Sequence, residues 1–289
     1  MPKPSPRRSI AILFCSLVLF ALTGCSSLIV DPMLPPFTRS LEQQSNLDLL
    51  HDGTPSLLLL LDGLLANDPG DRALLTAGAK AYASYALLLT QFEETEQART
   101  YAERGRELAQ ALLATIPALA GADKAGPEEL KPMLAKVRAE DAGVLFWGGY
   151  GWAVWVRFQQ GSPEALAALT RIEPIMARVL ELDESYHHGS AHLFLGALYG
   201  AKPALFGGNP VASRAHFERA LALGQRRFLT AQVTFAETYA RQMFDRELFQ
   251  SLLEEVLAAP LDASPDLKAS NSLAKMKARQ LIEQIDTFF

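Results

Sequence analysis

Apolar residues recur at intervals of three and four along most of the chain after residue 46, which is the spacing of one helix face. The alternation of apolar and polar residues expected of β-strands is missing. Several helix starts are marked by a capping side chain followed by proline, at Thr54-Pro55, Ser162-Pro163, Asn209-Pro210 and Ser264-Pro265. These signals and the caps Asp71, Asp183 and Asp245 predict helices near residues 55–67, 72–90, 93–116, 127–138, 140–159, 163–182, 185–200, 210–223, 230–243, 246–258 and 266–287.

The predicted helices pair into hairpins that share a pattern of small residues beside an apolar knob. The clearest pair places Leu195, Gly196 and Tyr199 on a first helix and Ser213, Phe217 and Ala220 on a second, a spacing that resembles a tetratricopeptide repeat. Weaker copies contain Ala98, Ala102 and Gly105, and Ile172, Met176 and Val179. Because no hairpin can bury its face alone, an all-α single domain of tetratricopeptide-repeat-like stacked helical hairpins is predicted over residues 47–289.

The first 24 residues have the order of a lipoprotein signal peptide. Lys3, Arg7 and Arg8 precede an apolar run over residues 10–22, and the following Thr23-Gly24-Cys25 resembles a lipobox. Cys25 is therefore expected to carry lipid, and the proline-containing residues 25–46 to form an extended tether. The implied location is the periplasm, anchored through Cys25, and the serines at 26 and 27 favour the outer membrane.

The net charge and the number of cysteines argue against nucleic-acid binding and against cysteine-based chemistry. Removal of residues 1–24 takes away three basic residues and leaves 24 Lys and Arg against 32 Asp and Glu, which disfavours nucleic acid as a partner. Cys15 leaves with the leader and Cys25 is consumed by lipid, so no disulfide, zinc-thiolate site or cysteine nucleophile is expected. No stretch beyond the leader is expected to cross a membrane.

Several ordered blocks over residues 140–289 resemble the TatT family of lipoproteins, the T components of TRAP transporters. The blocks are residues 179–183, 192–196, 207–210, 216–221, 239–240, 245–249, 252–257, 271–274 and 277–278. The chain departs from the pattern at Glu237 and over residues 111–139. The resemblance implies an all-helical periplasmic homotrimer with a hole or cleft through each protomer. It also implies binding to the transporter's periplasmic substrate-binding P component and help in delivering an apolar or organic-acid-like solute.

A stripe of aromatic residues is the first candidate ligand site. Trp147, Gly151, Trp155 and Phe158 share one face of a predicted helix that also contains Gly148, Gly149 and Trp152. Such a stripe is more often a buried core, but with the implied cleft it could form the wall of an apolar pocket. Further candidate ligand-binding residues are His192, Tyr199, Phe206 in a widened turn, and Arg241, which could join Asp245 and Arg246 in an ion-pair network or bind a carboxylate.

His188 and His192 are four residues apart, a spacing that could place two imidazoles on one helix face for a metal. The glutamate of an H-E-x-x-H motif is absent, since Gly189 follows His188. Histidines packed in the core or facing solvent are the more common outcome, and neither a metal nor another cofactor is expected.

No nucleophile elbow or kinase signature stands out, so the sequence predicts a non-enzymatic accessory of a solute-uptake system. Two alternatives stay open. A generic helical-repeat scaffold for envelope protein assembly would present similar concave surfaces. An envelope hydrolase would use His188 and His192 with a metal.

Overall fold

A computed structural model describes residues 36, 38–122, 124–159, 161–201, 205 and 208–289. The chain forms two compact units, residues 1–41 and 42–289. In the first unit, the described residues 36 and 38–41 are helical. Cys25 and Phe206 lie outside the described residues, as does the predicted leader.

In the second unit the described residues form helices and short 3-10 turns, without strands. The all-α prediction is thereby confirmed. The helices are α1 (Leu47–Asn67), α2 (Arg72–Leu89), α3 (Thr95–Ala114), α4 (Pro127–Leu134), α5 (Ala142–Arg157), α6 (Pro163–Leu182), α7 (Tyr186–Gly200), α8 (Pro210–Leu223), α9 (Thr230–Thr234), the π-helix Phe235–Ala240 that continues α9, α10 (Arg246–Ala258), α11 (Lys268–Glu283) and α12 (Ile285–Phe288).

The predicted start of the first helix at Pro55 is wrong. α1 begins at Leu47, where the Asn46 side chain accepts a hydrogen bond from the Leu49 amide at 3.1 Å. Proline at 55 cannot donate to the carbonyl of residue 51. The Tyr85 hydroxyl donates to that His51 carbonyl instead, at 3.0 Å, so a side chain from α2 replaces the missing helix bond.

Three further expectations change. Residues 38–42, predicted as extended tether, are helical. Ser264-Pro265 opens a 3-10 turn over Pro265–Leu267, and α11 follows it. Among the described helices, α1 is long and apolar enough to cross a bilayer by length and composition. It nevertheless packs against α2, and its Asp62 accepts hydrogen bonds from Tyr82 and Arg104.

Neighbouring helices pack in chain order, as stacked hairpins do. α2 packs on α3, α5 on α3 and α6, α7 on α6 and α8, and α10 on α11. The two ends of the array also meet. α11 contacts α1, and the Gln43 side chain donates to Asp266 at 2.8 Å.

The predicted hairpin pattern is confirmed at the contact between α7 and α8. A methyl group at Gly196 would lie 3.1 Å from the Phe217 ring, so glycine allows the ring to pack flat on the α7 backbone. The Ser213 hydroxyl donates to the Gly196 carbonyl at 2.7 Å. Phe217 is fully buried and stacks on Phe235, so this hairpin joins the core formed with α9 and α10.

Candidate functional site

Aromatic and histidine side chains from three segments of the chain meet beside a lysine. α5 supplies Phe146, Trp147 and Tyr150, the start of α7 supplies Tyr186 and His187, and the loop before α9 supplies Phe228. Lys80 of α2 places its Nζ 4.9 Å from the centre of the Trp147 ring. We call these seven residues the Lys80 cluster.

A left-handed turn at the start of α7 positions two of these side chains. His187, His188 and Gly189 have φ values of 46°, 61° and 75° in succession. The left-handed region is unfavourable for non-glycine residues, and strain of this kind is concentrated at functional sites. Gly143 on α5 leaves the space for the neighbouring Tyr186, because a methyl group there would lie 2.8 Å from the tyrosine oxygen.

The hydrogen bonds around His187 fix its tautomer. The Ser190 hydroxyl donates its one proton to the His187 carbonyl at 2.5 Å, so His187 Nδ1, 3.0 Å from the same oxygen, must be the donor. Nε2 then carries the lone pair. Burial among the rings and the nearby Lys80 charge lower the pKa of His187 to about 3. The cluster therefore contains a neutral imidazole acceptor near a cation.

Lys80 is the group of this cluster that could pair with a carboxylate, and the side chains packed around it are aromatic rings. Lys80 forms an ion pair with Glu42, which an anionic ligand could displace. The Trp147 Nε1 donates to the Tyr186 hydroxyl at 3.0 Å, which fixes the orientation of both rings. His187 packs against Phe146 and Trp147 at centroid distances of 5.5 and 4.9 Å.

A separate apolar cavity of about 320 Å³ lies beside Trp152. Its walls are Gln110, Leu113, Ala114, Leu119, Ala122, Leu130, Trp152 and Ile175. Two glycines of α5 bring the walls close, since methyl groups at Gly148 and Gly149 would lie 2.5 and 2.9 Å from Leu113 and Ile175 respectively. The volume is about twice the ~150 Å³ that accommodates benzene in a dry protein cavity.

The three candidate tryptophans of α5, two from the predicted stripe and Trp152 beside it, occupy three different environments. Trp147 belongs to the Lys80 cluster and Trp152 lines the cavity. Trp155 packs under Arg106, and its Nε1 donates to Glu103 at 2.5 Å. All three are buried, and the described contacts do not join them into one wall.

His188 and His192, whose spacing could have placed both imidazoles on one helix face, do not face each other. The left-handed turn at residues 187–189 separates the two rings, and His188 stacks on Phe228 at 5.6 Å. His192 instead faces His216 of α8, with the two Nδ1 atoms 2.7 Å apart, and its Nε2 lies 3.0 Å from Glu184. Among the described residues, no three His, Cys, Asp or Glu side chains are arranged to hold a metal.

Two other predicted site residues are held by contacts within the chain. The Tyr199 hydroxyl donates to Glu173 at 2.9 Å, and its ring lies 5.6 Å from that of His216. The guanidinium of Arg241 lies 3.9 Å from the centre of the Phe288 ring. The expected network of Arg241, Asp245 and Arg246 does not form, because Asp245 caps α10 and Arg246 pairs with Asp286.

Lys80, His187 and Phe228 were not among the predicted site residues. Lys80 belongs to a helix without a recognised motif, and Phe228 follows a turn in which Gln225 and Arg226 also have positive φ. The one available signal was the sequence His187-His188-Gly189 at a predicted helix start. Histidine and glycine have low helix propensity, so a regular helix is disfavoured there.

Comparison with known proteins identifies the family to which the chain belongs. A model of TAtT, the TRAP transporter T-component, matches residues 43–289. The chain belongs to this family. It is also 26% identical over 272 residues to an uncharacterised protein of Treponema pallidum (strain Nichols), covering 88% of this chain and 83% of that protein. The TAtT family is one of transporter accessory components, so the chain is a T-component and not a member of an enzyme family.

Proposed function

We propose that this T-component is a lipid-anchored periplasmic accessory that binds the substrate-binding P component of a TRAP-type uptake system and holds an organic acid in the Lys80 cluster. The observation that carries the ligand assignment is the position of Lys80 beside the Trp147 ring and the neutral His187. A cation next to apolar walls suits a carboxylate that bears a hydrocarbon body.

The family match supports a role beside a TRAP transporter, and the leader sequence supports the anchor. In this proposal the lipid on Cys25 inserts into the periplasmic side of the outer membrane. Three copies of the chain assemble into a homotrimer. The anchor raises the effective concentration at which the domain meets a P component in the same compartment. The T-component would thereby receive or present the solute close to the membrane.

Ligand binding can be tested with a protein that retains Trp147 as its one tryptophan. The Trp152→Phe and Trp155→Phe substitutions leave that ring in the cluster, where its fluorescence reports on an apolar neighbour. Titration with octanoate, a carboxylate with a hydrocarbon chain, is expected to give a saturable fluorescence change. Lys80→Met should weaken the apparent affinity at least about tenfold, because the carboxylate loses a charged partner in a partly buried place.

Lys124→Met is the matched control, since Lys124 is an exposed lysine away from the cluster. It should leave the octanoate titration unchanged. Octanol, which has the same chain without the charge, should bind more weakly than octanoate to the parent protein and equally to Lys80→Met. Equal octanoate affinity in the parent protein and in Lys80→Met would contradict the assignment of the cluster.

The partner is tested by isothermal titration of the mature chain with the purified P component from the same organism. Measurable, saturable binding supports the accessory role. A T-component that binds no P component, with or without solute, would contradict it. Co-purification with envelope assembly proteins in that case would favour the scaffold alternative.

A further inference from the structure

The carboxylate of Glu42 pairs with the ammonium group of Lys80, the cation of the proposed ligand site. Glu42 Oε1 contacts Lys80 Nζ, which lies 4.9 Å from the centre of the Trp147 ring. The Lys80 side chain is 28% exposed and that of Glu42 is 35% exposed. The contact that Lys80 would make with a carboxylate ligand is therefore already made by a carboxylate of the chain itself.

The segment that carries Glu42 is held by few contacts. Residues 42–46, which we call the Glu42 segment, precede α1, and none of their side chains is buried. Besides the ion pair with Lys80, the Gln43 side chain donates to Asp266 at 2.8 Å. Parts of a protein with little buried apolar surface and exposed hydrogen bonds open at a low cost in free energy. Release of Glu42 from Lys80 would therefore disrupt no buried packing of the segment.

Asn46 fixes the other end of the segment. Its side chain accepts from the Leu49 amide at 3.1 Å, and its carbonyl accepts from the Leu50 amide at 3.2 Å. These two bonds cap α1 and do not depend on the ion pair of Glu42. Residues 43–45 are consequently the part of the chain that would change conformation when Glu42 leaves Lys80.

Glu42 and a carboxylate ligand compete for one ammonium group. A second carboxylate at Lys80 would bring two negative charges within a few ångströms of each other in a partly buried place, which raises the free energy of that state. Binding is favoured when Glu42 has left. The apparent dissociation constant of the ligand is then its intrinsic value divided by the fraction of molecules in which Lys80 is free.

We propose that Glu42 is an internal competitor for the carboxylate ligand of Lys80, and that ligand binding releases the Glu42 segment. This inference rests on the proposed function, because it describes the regulation of the same site. In the proposed function, residues 25–41 lead from the lipid anchor to this segment. Occupation of the site thus changes the part of the chain that joins the domain to its anchor.

The first measurement is isothermal titration of the mature chain with octanoate, comparing the parent protein with Glu42→Gln. Glutamine keeps the size of the side chain and removes its charge. The substitution should tighten octanoate binding about two- to fivefold, the range expected when a partly exposed ion pair stops competing. Glu254→Gln is the matched control, because it removes an exposed carboxylate on α10 and should leave the affinity unchanged.

The second measurement is amide hydrogen exchange of the Glu42 segment. The Asn46 amide donates to the Gln44 side chain at 2.8 Å, and this bond belongs to the ordered form of the segment. Octanoate should speed exchange over residues 42–46 in the parent protein. In Glu42→Gln the exchange should already be faster without octanoate and should change little on its addition, since the coupling between ligand and segment is reciprocal.

The outcomes separate this inference from the proposed function. If neither the parent protein nor Glu42→Gln binds octanoate, the ligand site at Lys80 fails and the inference fails with it. If both bind with the same affinity, or Glu42→Gln binds more weakly, the site stands and the competition by Glu42 is overturned. Tighter binding by Glu42→Gln without any effect of octanoate on exchange in the parent segment would overturn the proposed release.

Discussion

A hydrogen bond joins His192 and His216 across the α7–α8 hairpin, with their Nδ1 atoms 2.7 Å apart. Glu184 determines the direction of this bond. Its carboxylate, whose pKa is lowered to about 2 chiefly by hydrogen bonds from Arg219 and then from His192, accepts from His192 Nε2–H. His192 Nδ1 is consequently the acceptor and His216 Nδ1–H the donor. Protonation of His192 would place two N–H groups face to face.

The first prediction concerns pH. Burial lowers the pKa of both His192 and His216 below 6.5, the ordinary value, so the unfolded chain binds protons more readily than the folded one. The free energy of unfolding should therefore fall as pH falls below 6.5. His187 extends the same dependence towards pH 3. Urea unfolding at pH 7.5, 6.5 and 5.5 measures the effect.

His216→Phe provides the decisive variant for this pair. It keeps a ring beside Tyr199 but removes the donor to His192, and should cost about 1 kcal/mol at pH 7.5. Its stability should also fall less steeply between pH 6.5 and 5.5. His51→Asn is the control of opposite sign: hydrogen bonds that His51 donates to the Asp52 and Glu94 carboxylates raise its pKa, so loss of His51 should make stability fall more steeply as pH falls. An unchanged slope in His216→Phe would contradict the prediction.

The second prediction compares one substitution at two glycines. A methyl group at Gly148 would lie 2.5 Å from Cγ and Cδ2 of Leu113, so Gly148→Ala should destabilise the protein by about 1–3 kcal/mol. Gly53 on α1 has nothing within 4 Å of the same position. Gly53→Ala should stabilise by about 0.5–1 kcal/mol through helix propensity alone. Urea titrations of both variants measure the difference, and equal effects would refute the packing argument.

The third prediction concerns the buried carboxylate of Asp141. It accepts from Arg72 Nη1 at 2.7 Å, and Arg72 also donates to the side chain and carbonyl of Thr115. Arg72→Met should cost about 3–5 kcal/mol, because it leaves Asp141 buried without its charge partner. Thr115→Ala, which keeps the ion pair, should cost much less. Unfolding free energies from urea titration test this order.

The fold was predictable because its signals are local and repeated. The caps at Asp71, Ser162, Asn209 and Asp245 each accept from an amide in the first turn of a helix, as their sequences predict. The cap at Thr54 failed for a non-local reason, since the hydroxyl of Tyr85 on α2 replaces the bond that Pro55 removes. The sequence pattern of α1 alone cannot predict a hydrogen bond from a side chain of α2.

The candidate site was less predictable for the same reason. Trp147 was recognised as an aromatic residue on a helix face, but Lys80 reaches it from a helix more than 60 residues away, and Phe228 joins the cluster through His187. The His188–His192 spacing assumed a continuous helix, and the left-handed turn removed that assumption. When a left-handed turn lies between two residues, their spacing in the sequence does not predict how far apart their side chains lie.

The last prediction concerns Asn271, which joins α11 to the loop before α9. Its Oδ1 accepts from the Leu229 amide at 3.0 Å and its Nδ2 donates to the Arg227 carbonyl at 2.9 Å. Asn271→Ala should cost about 1–3 kcal/mol for each backbone group left unpaired. Ser272→Ala is the neighbouring control, since the buried Ser272 hydroxyl has no partner among the described residues and its loss should be neutral or slightly stabilising.

Because Phe228 of the Lys80 cluster lies in the same loop, Asn271→Ala should also weaken octanoate binding while Ser272→Ala leaves it unchanged. Urea titration and Trp147 fluorescence together test whether this hydrogen-bonded loop orders the site; intact octanoate affinity in a destabilised Asn271→Ala protein would show that it does not.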